Sequence, residues 1–338
     1  MNRGRKKYFI ILVLGLVLSI FVCLSIGSVS IPLREIYSIL KGQVLKAPIK
    51  SANGSIILAV RFPRVLNACL VGSCLALAGA AMQGLLRNPL AEGGTLGVSA
   101  GAGLGAVLAI ALDISIPFIP FGGPVVMAMI FSFLSILIIL TLSYKLDYGL
   151  STNTIILLGV IYSMFISSIQ SFIIVFSSHK LEAITSWSMG SLAGSTYKGA
   201  LVIFIVLIIF GLRIYSKSRE LDAFAISEKN AAHIGVDVKK VKLSIMISVS
   251  AIIGVAVAFA GSIGFVGLII PHIMRKLVGP SHKKLLLATT LAGGIFLMYA
   301  DLLARVVLAP IELPIGVITS FVGSILFVNI YFSMRKVS

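Results

Sequence analysis

Two arginines stand three residues apart in "AVRFPRVLNACLVG", Arg61 and Arg64, at the lip of a long apolar run. A guanidinium is a planar fork of donors that grips a carboxylate with paired hydrogen bonds, so this spacing suits a receptor for carboxylates. The same residues also suit a plainer task, in which their aliphatic stems lie on apolar surface and the charges snorkel into water. A second charged pair lies far along the chain. Asp301 and Arg305, four apart in "ADLLAR", meet on one face if the segment is helical. Other chemistry is thinly represented. The histidines at 179, 233, 272 and 282 have no metal-ligand spacing. The chain has no G-x-x-x-x-G-K-[ST] phosphate loop and no nucleophile–base constellation. The residues therefore argue against an enzyme, against a bound metal, and against ATP hydrolysis by that route in this chain.

The elements that position these residues follow from composition. Among 338 residues 58% are hydrophobic, and the mean hydropathy is +1.10. Apolar runs of about 20 residues recur, each long enough to cross a bilayer. The expected fold is an all-α membrane protein, a polytopic bundle of about ten transmembrane helices forming one domain over 1–338. The spans fall at about 8–26, 64–86, 94–112, 122–143, 152–176, 199–215, 241–261, 263–279, 284–308 and 314–334. The apolar N-terminal run exceeds a signal-peptide core and reads as an uncleaved first span. Cys23, Cys69 and Cys74 all fall inside apolar runs and read as small buried hydrophobes.

The net charge of +17 has two readings, a nucleic-acid surface or a membrane-topology signal. The cations flank apolar runs and lack interleaved aromatics, so nucleic acid is excluded and membrane lipid is the expected surrounding. With the N-terminus inside, the outer side keeps only Arg34, Lys41, Lys46, Lys50, Arg61, Arg64, Lys180, Lys198 and Arg305. That bias predicts cytoplasmic N- and C-termini.

Three connections exceed simple turns. An outer loop over 27–58 is polar. A second outer segment, "SSHKLEAITSWSMGSLAGSTYKG", suits a short surface helix. The third, 216–242, is either a solvated linker or a platform for a soluble partner, and its Gly235 reads as a helix stop. Segment 75–90, "LALAGAAMQGLLRNPL", echoes 257–272, "VAFAGSIGFVGLIIPH". The echo leaves an inverted repeat open, as in ion-coupled secondary transporters, although buried carboxylates for ion coupling are scarce. The glycine-dense third span predicts short or irregular helix.

The motifs "RFPR", "GAAMQGLLRNPLAEGGTLGVSAGA", "WSMGSLAG", "GSIGFVGLIIPHIMRKLVGPSHKKLL", "ADLLAR" and "ELPIGVITSFVG" together resemble the FecCD family, from about Arg61 to the C-terminus. These are permease subunits of bacterial ABC importers for iron–siderophore complexes, haem and cobalamin. The resemblance implies a bacterial inner-membrane protein that pairs with a second permease copy or paralogue. It implies two cytoplasmic ABC ATPase subunits, which use ATP and magnesium, and an extracytoplasmic substrate-binding protein or lipoprotein. Acidic residues of that binding protein would dock at Arg61, Arg64 and Arg305. The segment "ELDAFAISEKNAAHIGV" matches the family's ATPase-coupling helices, through Glu220, Leu221, Ala225, Glu228, Ala231, Ala232 and Gly235. Thr152 and Asn153, opening the fifth span, match its inner gate. Gly93 or Gly94 stands where the family favours proline, and "PSHKK" departs from its usual Asp-His-Arg.

Overall fold

The computed structural model describes residues 3–27, 29–44, 52–116, 122–148 and 150–335. Lys46, Lys50 and Lys336, which enter the charge bias, lie outside the described residues. Among those residues every regular element is helical. In order they are α1 (Arg3–Ser25), α2 (Leu33–Val44), α3 (Ala52–Ser55), a π-helical turn (Ile56–Arg61) and α4 (Phe62–Leu85). A 3₁₀ turn (Gly93–Leu96) leads into α5 (Val98–Ala111), α6 (Gly122–Leu146) and α7 (Thr152–Phe176). A further 3₁₀ turn (Ser178–Lys180) precedes α8 (Leu181–Ser188), α9 (Tyr197–Ser216), α10 (Ser218–Ile226) and α11 (Glu228–His233). The chain closes with α12 (Val238–Ala260), α13 (Val266–Val278), α14 (His282–Val306) and α15 (Ile315–Arg335).

Polar caps set most of these boundaries. The side chains of Ser151, Thr196, Ser227 and Asp237 accept hydrogen bonds from backbone N–H groups at the starts of α7, α9, α11 and α12. The Asp237 carboxyl is held below the usual carboxylate range, chiefly by the Lys240 backbone N–H. Gly235 stops α11 at φ +88°, a left-handed conformation that a Cβ disfavours.

Among the described residues seven helices are long and apolar enough to cross a membrane: those within α1, α3–α4, α6, α7, α9, α12 and α14. The helices in the expected third and eighth spans, α5 and α13, are short, with 14 and 13 residues, or about 20 Å each. Backbone at positive φ precedes each, Gly97 between the 3₁₀ turn and α5, and Gly261 and Phe265 in the non-helical approach to α13. The irregularity expected of the third span is thus present, and the eighth shares it.

Two expectations need correction. The outer loop 27–58 is not a loop throughout, because it contains α2 and α3. The second span starts well before residue 64. Helix runs unbroken from Ala52, and the π turn just before Pro63 widens the backbone where the proline ring would meet the preceding carbonyl. Arg64 therefore does not occupy an open helix N-terminus. The echoing segments also differ locally, since 75–85 stays inside α4 while 261–265 breaks the chain.

The core is built around α4, which packs on α9, α12, α13 and α14. Lipid offers no water to expel, so helices associate through close packing of small residues. Gly72 of α4 faces Gly293 of α14 so tightly that a Cβ on Gly72 would sit 2.2 Å from the Gly293 carbonyl oxygen. Gly79 meets Gly267 of α13 in the same way, at 2.0 Å. No rotamer relieves a clash of Cβ with backbone. Gly72→Val should therefore destabilise the protein by more than about 2 kcal/mol. Gly194→Ala, at a position with open space around it, should stay within about 0.5 kcal/mol. Thermal unfolding of both variants in detergent measures the difference.

Candidate functional site

The three arginines converge at the end of the bundle where α1 finishes and α4 begins. Arg61 is 4% exposed. Its Nη1 donates to the carbonyls of Leu24 at 2.8 Å and Ser25 at 3.2 Å, and its Nη2 donates to the Val29 carbonyl. The last carbonyls of α1 lack helical partners, and a cation suits that negative end of the dipole. Arg61 is in this way the C-terminal cap of α1.

Arg64 binds two carboxylates. Its Nε donates to Asp301 at 2.9 and 3.2 Å, and its Nη1 donates to Glu312 at 2.9 and 3.1 Å. Arg305 reaches Asp301 with its Nε at 3.1 Å, one helical turn away as the spacing predicts. Its Nη2 lies 3.5 Å from the Cys23 carbonyl. Asp301 is thus a buried anion, 1% exposed, between two guanidiniums on different helices. Its desolvation is offset by charge-assisted bonds on both sides.

Three cations meet two anions in this cluster, and Glu312 is the anion nearest water, with 47% of its side chain exposed. Arg64 and Glu312 line a surface cavity of about 180 Å³ between the end of α8 and residues 312–315. The sequence paired Asp301 with Arg305 but missed Glu312 and the Arg64 link. Those contacts span more than 230 positions, and only the acidic residue within "ELPIGV" hinted at them.

At the opposite end, α10 and α11 lie across the bundle. The seven residues matched to coupling helices divide between two environments. Leu221 and Ala231 are buried against the body, while Ala225, Ala232 and Gly235 face outward. Glu220 pairs with Lys217 at 3.0 Å, and Glu228 pairs with Lys242 at 2.7 Å. Ile226 and Ile234, to which sequence reading assigned no coupling role, are 67% and 72% exposed.

The loop "PSHKK" also has a partner. Asp222 of α10 accepts from the His282 backbone N–H at 2.8 Å, and it lies 2.7 Å from the His282 Nδ1. It thereby caps α14. Thr152 donates its hydroxyl to Glu228 at 3.1 Å, and Asn153 is exposed beside it. Thr152 and Glu228, matched by resemblance to the gate and to the coupling helices, are 76 positions apart in the chain and share one hydrogen bond. Among the described residues no group of three or more His, Cys, Asp or Glu side chains could hold a metal ion.

The model of the FecCD transport family matches residues 15–335. The uncharacterized ABC transporter permease protein YvrB of Bacillus subtilis is 38% identical, over 99% of this chain and 96% of its own. The vitamin B12 import system permease protein BtuC of Citrobacter koseri is 37% identical, over 85% and 86%. A solved structure described as an inward-facing conformation of a metal-chelate type ABC transporter superposes with a TM-score of 0.84. It is 31% identical, and the match covers 97% of this chain and 99% of that one.

The cluster geometry separates two carboxylates by their burial. Asp301→Asn leaves two buried guanidiniums without their shared anion and should cost about 3–5 kcal/mol. Glu312→Gln removes a half-exposed partner and should cost less than about 1 kcal/mol. Unfolding of the two variants side by side in detergent checks the order.

Proposed function

The chain belongs to the FecCD transport family, and on that premise we propose how it works as the permease subunit of an ATP-driven importer. Its cargo class is iron–siderophore complexes or a related metal chelate such as haem or cobalamin. The single observation that carries this reading is the family match over nearly the whole chain, with relatives and a solved structure of the same transporter class. It is a multi-pass inner-membrane protein that works with ATPase and binding-protein partners. The end bearing the N-terminus, α10 and α11 is assigned to the cytoplasm, consistent with the positive-inside bias. Ile226 and Ile234 are apolar knobs suited to a groove on an ATPase. Two ATPase chains, using ATP and magnesium, would serve a pair of permeases, either two copies or this chain with a paralogue.

An extracytoplasmic binding protein would dock at the arginine end. The burial of Arg61, Arg64 and Arg305 shapes that proposal. All three guanidiniums already have acceptors, so an incoming carboxylate must compete with one of them. Glu312 is the exchangeable competitor, because it is half exposed and shares Arg64 with the buried Asp301. Docking and ATP binding would then bias a two-state equilibrium, with the cargo path open outward or inward, through their differential affinities for the two states. An ion-coupled secondary transporter is not favoured. Such a device needs a buried carboxylate free to bind and release its ion, whereas Asp301 is held by two arginines.

Two measurements test the reading. In proteoliposomes with the cognate ATPase and binding protein, uptake of ferric siderophore or cyanocobalamin should stop when the ATPase cannot hydrolyse ATP. It should persist when a protonophore collapses the proton gradient. For the docking site, Arg64→Gln should weaken binding-protein affinity by about tenfold, or ~1.4 kcal/mol. Glu312→Gln should strengthen it by removing the competitor, and both effects should shrink as salt screens the charges. Weaker docking by Glu312→Gln would refute the exchange.

A further inference from the structure

Lys242 is a charged side chain with no exposed surface at all. It lies on α12 among apolar neighbours, where an unpaired ammonium is strongly disfavoured. Two acceptors hold it. The Nζ donates to the Leu150 carbonyl at 2.8 Å and to Glu228 Oε2 at 2.7 Å. Leu150 adopts φ +51°, a left-handed conformation uncommon for a leucine, in the turn that delivers its carbonyl just before α7. The second oxygen of Glu228 accepts from the Thr152 hydroxyl at 3.1 Å. One carboxylate, on the first residue of α11, therefore bonds to both α12 and the first residue of α7.

The two helices so joined differ in how firmly they are held. Most of α12 is buried inside the bundle, whereas α7 is the least buried of the long apolar helices, with only 11% of its most apolar stretch enclosed. A helix exposed along its length is held by its ends and by one packed face. At the α7 N-terminus the hydrogen bonds run to α11 through Thr152 and to α12 through the Leu150 carbonyl. A shift of α11 cannot keep the Thr152–Glu228 bond unless the α7 start moves with it, pivoting on the Leu150–Lys242 bond to α12. The Lys242 ammonium bonds Leu150 and Glu228 and not Thr152, so its burial does not depend on the Thr152 hydroxyl. The hydroxyl is an additional tether from the carboxylate to α7.

We propose that the Glu228 carboxylate, oriented by Lys242, is the mechanical link that transmits displacement of α11 to the N-terminus of α7 through Thr152. The proposal rests on the transport reading above and adds the route within this chain. Glu228, Lys242 and Thr152 are positioning residues, and none of them need touch cargo or nucleotide. Their role is read out by whether the opening of α7 follows nucleotide, a property that mere support of the fold would not govern.

The experiment uses the full permease assembled with its cognate ATPase in lipid nanodiscs. Asn153→Cys, exposed at the α7 start, reports accessibility through its reaction rate with a membrane-impermeant maleimide. The parent chain sets the background from Cys23, Cys69 and Cys74. The rate is compared without nucleotide and after trapping with ATP and vanadate. In Asn153→Cys alone the two rates should differ by at least about fivefold, the low end of common site-to-site coupling. Adding Glu228→Ala or Lys242→Met should reduce the difference to below about twofold, and for Lys242→Met ATP hydrolysis by the complex should be retained. Thr152→Val should give an intermediate ratio, and Thr152→Ser, which keeps the hydroxyl, should match the parent. A ratio that survives both Glu228→Ala and Lys242→Met overturns the link alone. If those two fail to assemble with the ATPase, Thr152→Val and Thr152→Ser decide, and equal ratios overturn it. An Asn153→Cys protein indifferent to nucleotide overturns the transport reading and the link with it.

Discussion

The structure depends on how closely α4 approaches α14. Gly72 and Gly293 bring two backbones into direct contact, and the helices stay together along their length. The Ser73 hydroxyl donates to the Thr290 carbonyl at 2.9 Å beside that contact. Nearer the arginine end, Arg64 of α4 binds Asp301 of α14 at 2.9 Å. In a lipid solvent neither helix gains from hiding apolar surface, so dispersion at close range and these polar bonds must supply the association. Side chains larger than hydrogen at the two glycines would hold the helices apart and lengthen the Arg64–Asp301 bond beyond use. The charge cluster and the glycine crossing are therefore one design feature seen at two heights.

This pair of helices links the two ends of the molecule. The 25 residues of α14 rise about 37 Å. One end is capped by Asp222 of α10, and the other carries Asp301 and Arg305. Under the docking and coupling proposals, the binding-protein site and the ATPase site are fixed to the same stiff rod. By contrast, α7 packs mainly on α5 and α6 and leaves most of its surface outside the fold. The bundle therefore resolves into a rigid body around α4, α12 and α14 and a more loosely held α7. Alternating access requires such a division, because a uniformly packed bundle has no element to move at low cost.

Local signals were legible in the sequence, and distant pairings were not. Apolar runs located the crossing segments, glycine density anticipated the short α5, and the 301/305 spacing anticipated an ion pair. Gly235 marked the end of α11 because a helix stop is a local conformational demand. The second span was expected from residue 64 rather than from Ala52, since a proline such as Pro63 suits the first turn of a helix, and a π turn that accommodates proline leaves no clear residue pattern. Glu312 and Asp222 escaped notice for another reason. Each acts on a residue tens or hundreds of positions away, and a lone carboxylate in a loop carries no mark of its partner. Lys242 looked like one more cation of a basic cluster, yet it faces inward while Lys239 stacks over the Tyr144 ring.

Burial of the arginines bears on why a receptor for carboxylates would hold carboxylates of its own. Three bare guanidiniums at a membrane surface would attract anionic headgroups and any acidic protein, since long-range attraction between exposed charges is poorly selective. Asp301 removes most of that field permanently, because it is enclosed and shared by two cations. Glu312 removes more of it reversibly, because water reaches half of its side chain. A partner then gains only the difference between its own carboxylate and Glu312 at Arg64. That difference is small for a stray anion and larger for a surface whose other contacts fix the acid in place. On this argument the internal acids set a threshold that shape complementarity must exceed, and Arg61 can serve as the cap of α1 without weakening the site.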